Sequence, residues 1–379
     1  MKLWKVSWVG LALALTLLMA ACGPRPASAP AVQEPLADDT SADSGRCGDR
    51  SQLSDTVSFY NWSEYIDPEV LTMFEEECGV KVIYDTYSSN EDLLAKLQAG
   101  ATGYDLIIPS DYMVSIMIQL GLLKELDHSN IPNLANLGEK FVDVPYDSGQ
   151  KYSVPYQWGT AGIGYDADFF ETPPDSLAVL FDPEQAKQYA GKMLLLNDSR
   201  EVIGAALKYL GYSLNSTDPA QLEEAKQVIL AIKPYLVTFD SDTFSDLLVA
   251  GEVVVGHMWN GTVYAAIFNN PDANLGYVVP KEGETIFIDN MAIPASAPQP
   301  YTAEVLINYL LDPEIGAMIT NATYYASPND AALPYILDEI KDDPGIYPSA
   351  DVLDKMEYIR DVGEATQLYE RIWTEIKSE

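Results

Sequence analysis

The chain has 379 residues and carries 57 Asp and Glu against 22 Lys and Arg, a formal charge of −35 at neutral pH. Such a balance offers no basic face for phosphates, so no nucleic acid is expected as a partner; it favours solubility and attracts cations without identifying one. The length is enough for two domains, and the lack of any fixed-period repeat excludes a solenoid or a propeller.

At the start, Lys2 and Lys5 precede an apolar run over 6–21 that is too short for a membrane span and closes on Ala20, Ala21 and Cys22. The pattern predicts a lipoprotein signal peptide over 1–21, with cleavage before Cys22 and acylation of that cysteine, so that lipid rather than a helix holds the mature chain to a membrane. Plain secretion is the alternative. Loss of residues 1–21, which carry Lys2, Lys5 and no acid, takes the charge to −37. Residues 22–53 are dominated by Pro, Ala, Ser, Asp and Gly without apolar periodicity, the composition of a flexible tether. With Cys22 acylated, Cys47 and Cys78 are left, and in an oxidising exterior they either pair or stay free. A bridge would pin the end of the tether onto the first lobe.

Three strand and helix alternations follow: strand Val57 to Tyr60, helix Pro68 to Cys78, strand Val80 to Tyr84, helix Glu91 to Ala99, strand Tyr104 to Ile108, and a helix from Asp111 to about Leu120. This is a parallel α/β pattern. Asp67 and Pro68 read as an N-cap and a first-turn proline, Asn90 and Ser110 as N-caps, and Gly79 and Gly100 as C-terminal glycines. Residues Tyr156 to Tyr165 read as an extended crossing into a second α/β unit. That unit has strand Met193 to Leu196, helices Glu201 to Leu210, Pro219 to Ile232 and Thr243 to Ala250, and strand Val253 to Trp259. The stretch Ile286 to Pro294 reads as the return crossing. Helices Thr302 to Leu311, Pro313 to Thr320 and about Ala365 to Lys377 complete the chain. The expected organisation is 54–160 plus 288–333 as lobe 1 and 161–287 plus 334–379 as lobe 2.

Catalytic and metal motifs are wanting. His128, in a polar turn, and His257, in an apolar strand, are the only histidines. Neither has metal-protease spacing, and three cysteines cannot make a four-cysteine site. Gly162, Gly164 and Ala167 fit the loose dinucleotide pattern, but Pro173 and Pro174 break the helix that should follow. Asp240, Asp242, Asp246 and Glu252 suggest calcium, yet an EF-hand loop would need Gly where Ser245 stands and Glu where Gly251 stands. No nucleophile elbow is present. The expectation is therefore no enzyme, no cofactor and no metal. The positive signal is Phe59 to Ile66, where two aromatics and an acid lie on the loop between a strand end and the first helix, an edge where α/β sheets place ligands. Taken alone, Trp62 and Tyr65 could be core and Glu64 a solvated acid.

With that stretch in hand, the chain resembles the spermidine/putrescine-binding family, the extracytoplasmic solute-binding proteins of polyamine ABC importers. Five pieces in order carry the resemblance: Tyr60-Asn61-Trp62-Ser63-Glu64-Tyr65, Tyr104 through Ser110, Asp198-Ser199-Arg200-Glu201-Val202, Gly251-Glu252 leading to Trp259-Asn260-Gly261, and Asp289 through Pro294. It implies an α/β, two-lobed type II periplasmic-binding-protein fold, each lobe a mostly parallel sheet flanked by helices and the two joined by crossing strands. It implies ligand contacts at Trp62, Ser63, Glu64, Tyr65, Ser110, Tyr112, Asp198, Glu201, Trp259, Phe287, Asp289 and Tyr325. Polyamines alternate ammonium groups with methylene runs, so carboxylates alternating with aromatic walls suit them. Phe287 stands where spermidine-preferring relatives carry tryptophan, and Ile359 where they carry glutamine. Against that, Glu64 and Tyr112 resemble the spermidine branch, and Thr262 replaces an aspartate of the putrescine branch; the balance favours spermidine narrowly. Asp111, an extra acid beside the site, reads first as a helix-start acid complementing the dipole and second as a further contact. The implied partners are a polyamine, a permease with its cytoplasmic ATPase, and the membrane through the Cys22 lipid. The protein is expected as a monomer in the periplasm or on the outer face of the cell membrane. Another organic cation or small solute is the alternative ligand, and a surface lipoprotein hydrolase the alternative from another class.

Overall fold

The computed structural model describes residues 45–100 and 103–378. The expected signal peptide, the acylated Cys22 and most of the expected tether lie outside the described residues. Among those residues, no helix is long and apolar enough to cross a membrane.

Ten strands form two sheets that share one long strand. The first sheet holds β1 (Thr56–Trp62), β2 (Lys81–Tyr87) and β3 (Leu106–Ile107), parallel in the order β2-β1-β3. The shared strand is β4 (Ser153–Asp166). The second sheet adds β5 (Met193–Leu195), β6 (Leu236–Phe239) and β7 (Val255–Trp259), parallel in the order β7-β5-β6, with β8 (Leu275–Val278) pairing β4. Strand β9 (Thr285–Ala292) lies antiparallel between β3 and β4, and β10 (Glu357–Tyr358) joins its start.

The crossing is visible in the register of β4. Ser153 to Thr160 pair with β9 of the first sheet, whereas Ala161 to Tyr165 pair with β7 of the second. The expected return crossing, Ile286 to Pro294, is extended over β9, which pairs with the first sheet. Each sheet has its own packed side chains: Phe59, Val70, Phe74 and Tyr309 bury against the first, and Leu194, Val202, Ile229 and Tyr369 against the second. The segment 334–356 supplies Ile336, Ile340 and Ile346 to a cluster shared with Trp158 and Ile288 of the first sheet and with Tyr264 of the helix that follows β7.

Local chemistry sets the helices that carry the site. Helix α1 (Pro68–Cys78) starts where Asp67 accepts from the Glu69 N–H and Pro68 needs no donor, and it ends at Gly79 with φ +73°. Helix α2 (Asn90–Gln98) is capped by Ser89, not by Asn90 as expected. Asn90 is committed elsewhere: its Oδ1 accepts from the Ser110 N–H and its Nδ2 donates to Ser110 Oγ. Ser110 in turn occupies the cap position of α3 (Asp111–Gln119) without capping it. Helix α4 (Ser199–Tyr209) is capped by Asp198, which accepts from the N–H groups of Arg200 and Glu201. Helix α5 (Asn260–Asn269) was not anticipated; it starts at the end of β7 with Gly261, where a Cβ would lie 2.4 Å from the Tyr325 ring.

The last residues of the expected tether are fastened, which corrects its boundary at 53. Cys47 is fully buried and forms a disulfide with Cys78, the last residue of α1. Arg46 Nε meets Asp312 at 2.9 Å, the Asp49 N–H donates to the Tyr301 hydroxyl at 2.7 Å, and Arg50 donates to the Glu77 carbonyl at 2.8 Å. Composition alone hid this segment, because its partners lie far along the chain.

Candidate functional site

The ends of β1, β3 and β7, the middle of β9 and the starts of α3, α4 and α5 converge on one cleft. It encloses about 730 Å³ counted out to the solvent at its mouth. All twelve residues expected as ligand contacts line it, and so do Tyr87, Asn90, Asp111, Asp242, Thr262 and Ile359. Six carboxylates and seven aromatic rings face the space, and among the described residues no Lys, Arg or His lines it.

On the wall from the first sheet, Asp289, Trp62 and Tyr112 are each braced by hydrogen bonds. Asp289, 4% exposed, accepts from the Tyr65 hydroxyl at 2.7 Å and from the Ser110 hydroxyl at 2.6 Å, one on each oxygen. Burial pushes its carboxyl up to about 7 even against those donors. Trp62 donates its indole N–H to the Ile108 carbonyl at 2.9 Å, and its ring packs 4.6 Å from that of Tyr87. Tyr65 meets Tyr325 edge-on at 4.8 Å, and Phe287 lies 6.1 Å from Tyr325. The Tyr112 hydroxyl donates to Glu91 Oε1 at 3.0 Å, so its ring rather than its oxygen is left to the cleft.

The wall from the second sheet is less complete. Trp259 donates its indole N–H to Glu201 Oε1 at 3.1 Å, while Glu201 Oε2 is buried without a hydrogen-bond partner. Burial raises the Glu201 carboxyl, helped by the charge of Asp198; Asp198 is itself raised by burial against the two helix N–H groups it caps. Arg200, the nearest base in sequence, is turned away and held by the Arg360 carbonyl and Asn215 Oδ1.

The two walls touch at the mouth. Ser63 Oγ donates to Asp242 Oδ1 at 3.1 Å, Trp62 stands edge-on to Trp259 at 6.0 Å, and the hydroxyls of Thr262 and Tyr325 are 2.9 Å apart. Between them lies Glu64, whose φ of +52° is unusual for a residue with a side chain and whose carboxyl is raised by burial and by Asp246. Sequence reasoning missed Asp242, which it weighs only within a failed calcium pattern, and Asn90, which it reads as a cap. In both cases the partner is distant in sequence and no local pattern marks it.

Among the described residues no group of three or more His, Cys, Asp or Glu could hold a metal ion. Asp240 Oδ1 accepts from the Asp242 and Thr243 N–H groups, as a helix-start acid does. His257 is fully buried with Nε2 2.9 Å from Glu284 Oε1, and His128 Nε2 lies 2.7 Å from the Gln150 carbonyl. The contact made by each ring is thus with a carboxylate or a carbonyl, not with a serine hydroxyl.

Residues 69–348 match the family model described as bacterial extracellular solute-binding protein. Spermidine/putrescine-binding periplasmic protein 1 of Haemophilus influenzae is 40% identical over 328 residues, spanning 86% of this chain and 89% of that protein. The solved spermidine/putrescine ABC transporter substrate-binding protein PotD of Streptococcus pneumoniae aligns with a TM-score of 0.70 at 34% identity, over 86% of this chain and 99% of that one. The TpPotD lipoprotein of Treponema pallidum aligns at 0.74 and 31% identity, over 85% and 99%. With its two-sheet cleft and these likenesses along its folded length, the chain belongs to the bacterial extracellular solute-binding proteins, in the spermidine/putrescine-binding family.

Proposed function

We propose that the protein captures a polyamine, spermidine or putrescine, in this cleft outside the cytoplasm and delivers it to an ABC importer. The single observation that carries the reading is the lining: six carboxylates, no base among the described residues, and aromatic rings between the acids. A buried carboxylate is costly unless a cation answers it, and a flexible chain of methylenes packs well against aromatic faces. Asp289 and Glu201 take ammonium groups, Asp198 and Glu64 add charge near them, and Trp62, Tyr65, Tyr112, Trp259, Phe287 and Tyr325 hold the methylenes. The hydroxyls of Ser63 and Ser110 complete the polar ring. Contacts from both walls favour the closed arrangement over an open one, so ligand capture and closure are coupled. Spermidine is favoured narrowly over putrescine, because three ammonium groups use more of the available acids than two.

The same reading assigns no catalytic chemistry and makes the protein a monomer. It places acylation at Cys22, which would keep the carrier at the membrane; the Ala-Ala-Cys ending of the apolar run supports this. A thermal-shift and titration-calorimetry panel with spermidine, putrescine, cadaverine, choline and neutral amino acids tests the ligand class. A response confined to choline or to amino acids overturns it. Intact-mass measurement of the membrane fraction tests the anchor, a mature chain starting after Cys22 being the contrary result.

A further inference from the structure

Asp111, at the first position of α3, lies on the first-sheet side of the cleft. An acid placed there for the helix dipole alone does its work facing water. This one does not face water: it is 3% exposed, it lines the cleft, and its Oδ2 makes no hydrogen bond of good geometry, the Ile288 N–H being close enough only to favour its charge. Its Oδ1 is used, accepting from the Tyr112 N–H at 2.6 Å. The nearby Ile288 N–H favours the ionised form, whereas Asp289 and Glu201 both act against its charge, so all three acids share one field. The only other carboxylate oxygen of the cleft left in this condition among the described residues is Glu201 Oε2, on the opposite wall.

We propose that Asp111 is a direct ammonium ligand of this site, a specificity-determining carboxylate whose Oδ2 accepts an N–H of the bound polyamine. The inference rests on the polyamine reading and deepens it. An ammonium carries three donors and no acceptor, so a fixed, unanswered carboxylate oxygen is the group it needs and one that a neutral or anionic solute leaves stranded. With Asp289 and Glu201, Asp111 brings the acids at the heart of the cleft to three, which matches a triamine better than a diamine.

The test uses the mature chain as wild type, Asp111→Asn and Asp111→Ser, each measured by calorimetry against spermidine and putrescine and by melting without ligand. Asp111→Asn is expected to weaken spermidine at least about tenfold, as loss of a charge-assisted hydrogen bond does, and to weaken putrescine less. Its ligand-free melting temperature should hold or rise, because a buried unanswered carboxylate is removed; a residue acting only as a helix-start acid would lower it. Asp111→Ser, smaller and uncharged, should repeat the binding loss if the Asn variant folds poorly. Wild-type binding with spermidine affinity unchanged within about twofold in both variants overturns the Asp111 assignment and leaves the polyamine reading standing. Absence of any polyamine binding by the wild type overturns both.

Discussion

The two walls of the cleft are built to different standards. On the first-sheet side Asp289 has a donor on each oxygen, one donor is braced again by Asn90, and Trp62 is hydrogen-bonded to the backbone. On the second-sheet side Asp198 spends an oxygen capping α4, and Glu201 has a donor on one oxygen only. Asp289 and its donors are therefore organised before ligand arrives, whereas Glu201, and Asp111 beside the first wall, are left for the ligand to complete. A carrier needs both properties: a rigid template to recognise, and an unfinished partner whose closure the ligand stabilises.

The largest expected effect breaks the rigid wall. Asp289→Asn leaves the Tyr65 and Ser110 donors without their carboxylate and the ammonium without its counter-charge, and should weaken spermidine by about 2–5 kcal/mol in titration calorimetry. Glu201→Gln should cost less, at the lower end of that range, and its ligand-free melting temperature should hold or rise, since an unpartnered buried charge is lost. Equal losses in the two variants would erase the distinction between the walls. Tyr65→Phe removes one charge-assisted donor from Asp289 and should cost about 1.5–3 kcal/mol of affinity.

A pH series sharpens the comparison next. The Asp289 carboxyl sits at about 7 and ammonium binds its ionised form, so spermidine affinity should rise from about pH 6 to about pH 8 while the amines remain charged. Binding near neutrality should release protons, read from calorimetry in buffers of different ionisation heat. Without ligand the sign reverses. The folded value lies above the unfolded one, so the unfolded chain ionises first and stability contributed by this group falls as pH rises from about 4 through about 7. The melting temperature of the wild type relative to Asp289→Asn should accordingly decline over that interval. The smallest effect belongs to the mouth: Ser63→Ala removes an exposed hydrogen bond to Asp242, costs up to about 1 kcal/mol, and should appear as faster ligand release in stopped flow.

Much of this was legible from sequence because it is local. Asp67, Pro68 and Gly79 bound α1 as their backbone chemistry requires, and Asp218 and Pro219 do the same for the helix Pro219–Ile232. Most of the cleft residues were legible for a different reason: apart from Phe287 and Asp289 within β9 and Tyr325 past a helix end, they sit where a strand ends or a helix begins, the edge at which an α/β sheet gathers side chains. What escaped notice depends on distance. Asn90 carries the signature of a cap and is diverted by Ser110, twenty residues on. Asn260-Gly261-Thr262 has the composition of a turn, yet it opens a helix because Gly261 lets that backbone press against Tyr325. Residues 45–53 have a linker's composition and are held by groups as far away as Asp312.

That last attachment has a mechanical meaning. The clamp at Arg46, Cys47 and Asp49 joins the far end of α1 and the beginnings of the helices Pro300–Leu310 and Pro313–Thr323. Helix α1 is about 16 Å long, and its other end follows the loop that carries Glu64. A tug entering through residue 45 is thus discharged into the first half of the molecule, a helix length from the cleft, in the way a cable gland relieves strain at the casing. The attachments named here all fall on the first half, so a pull on residue 45 would bypass the wall that carries Asp198, Glu201 and Trp259.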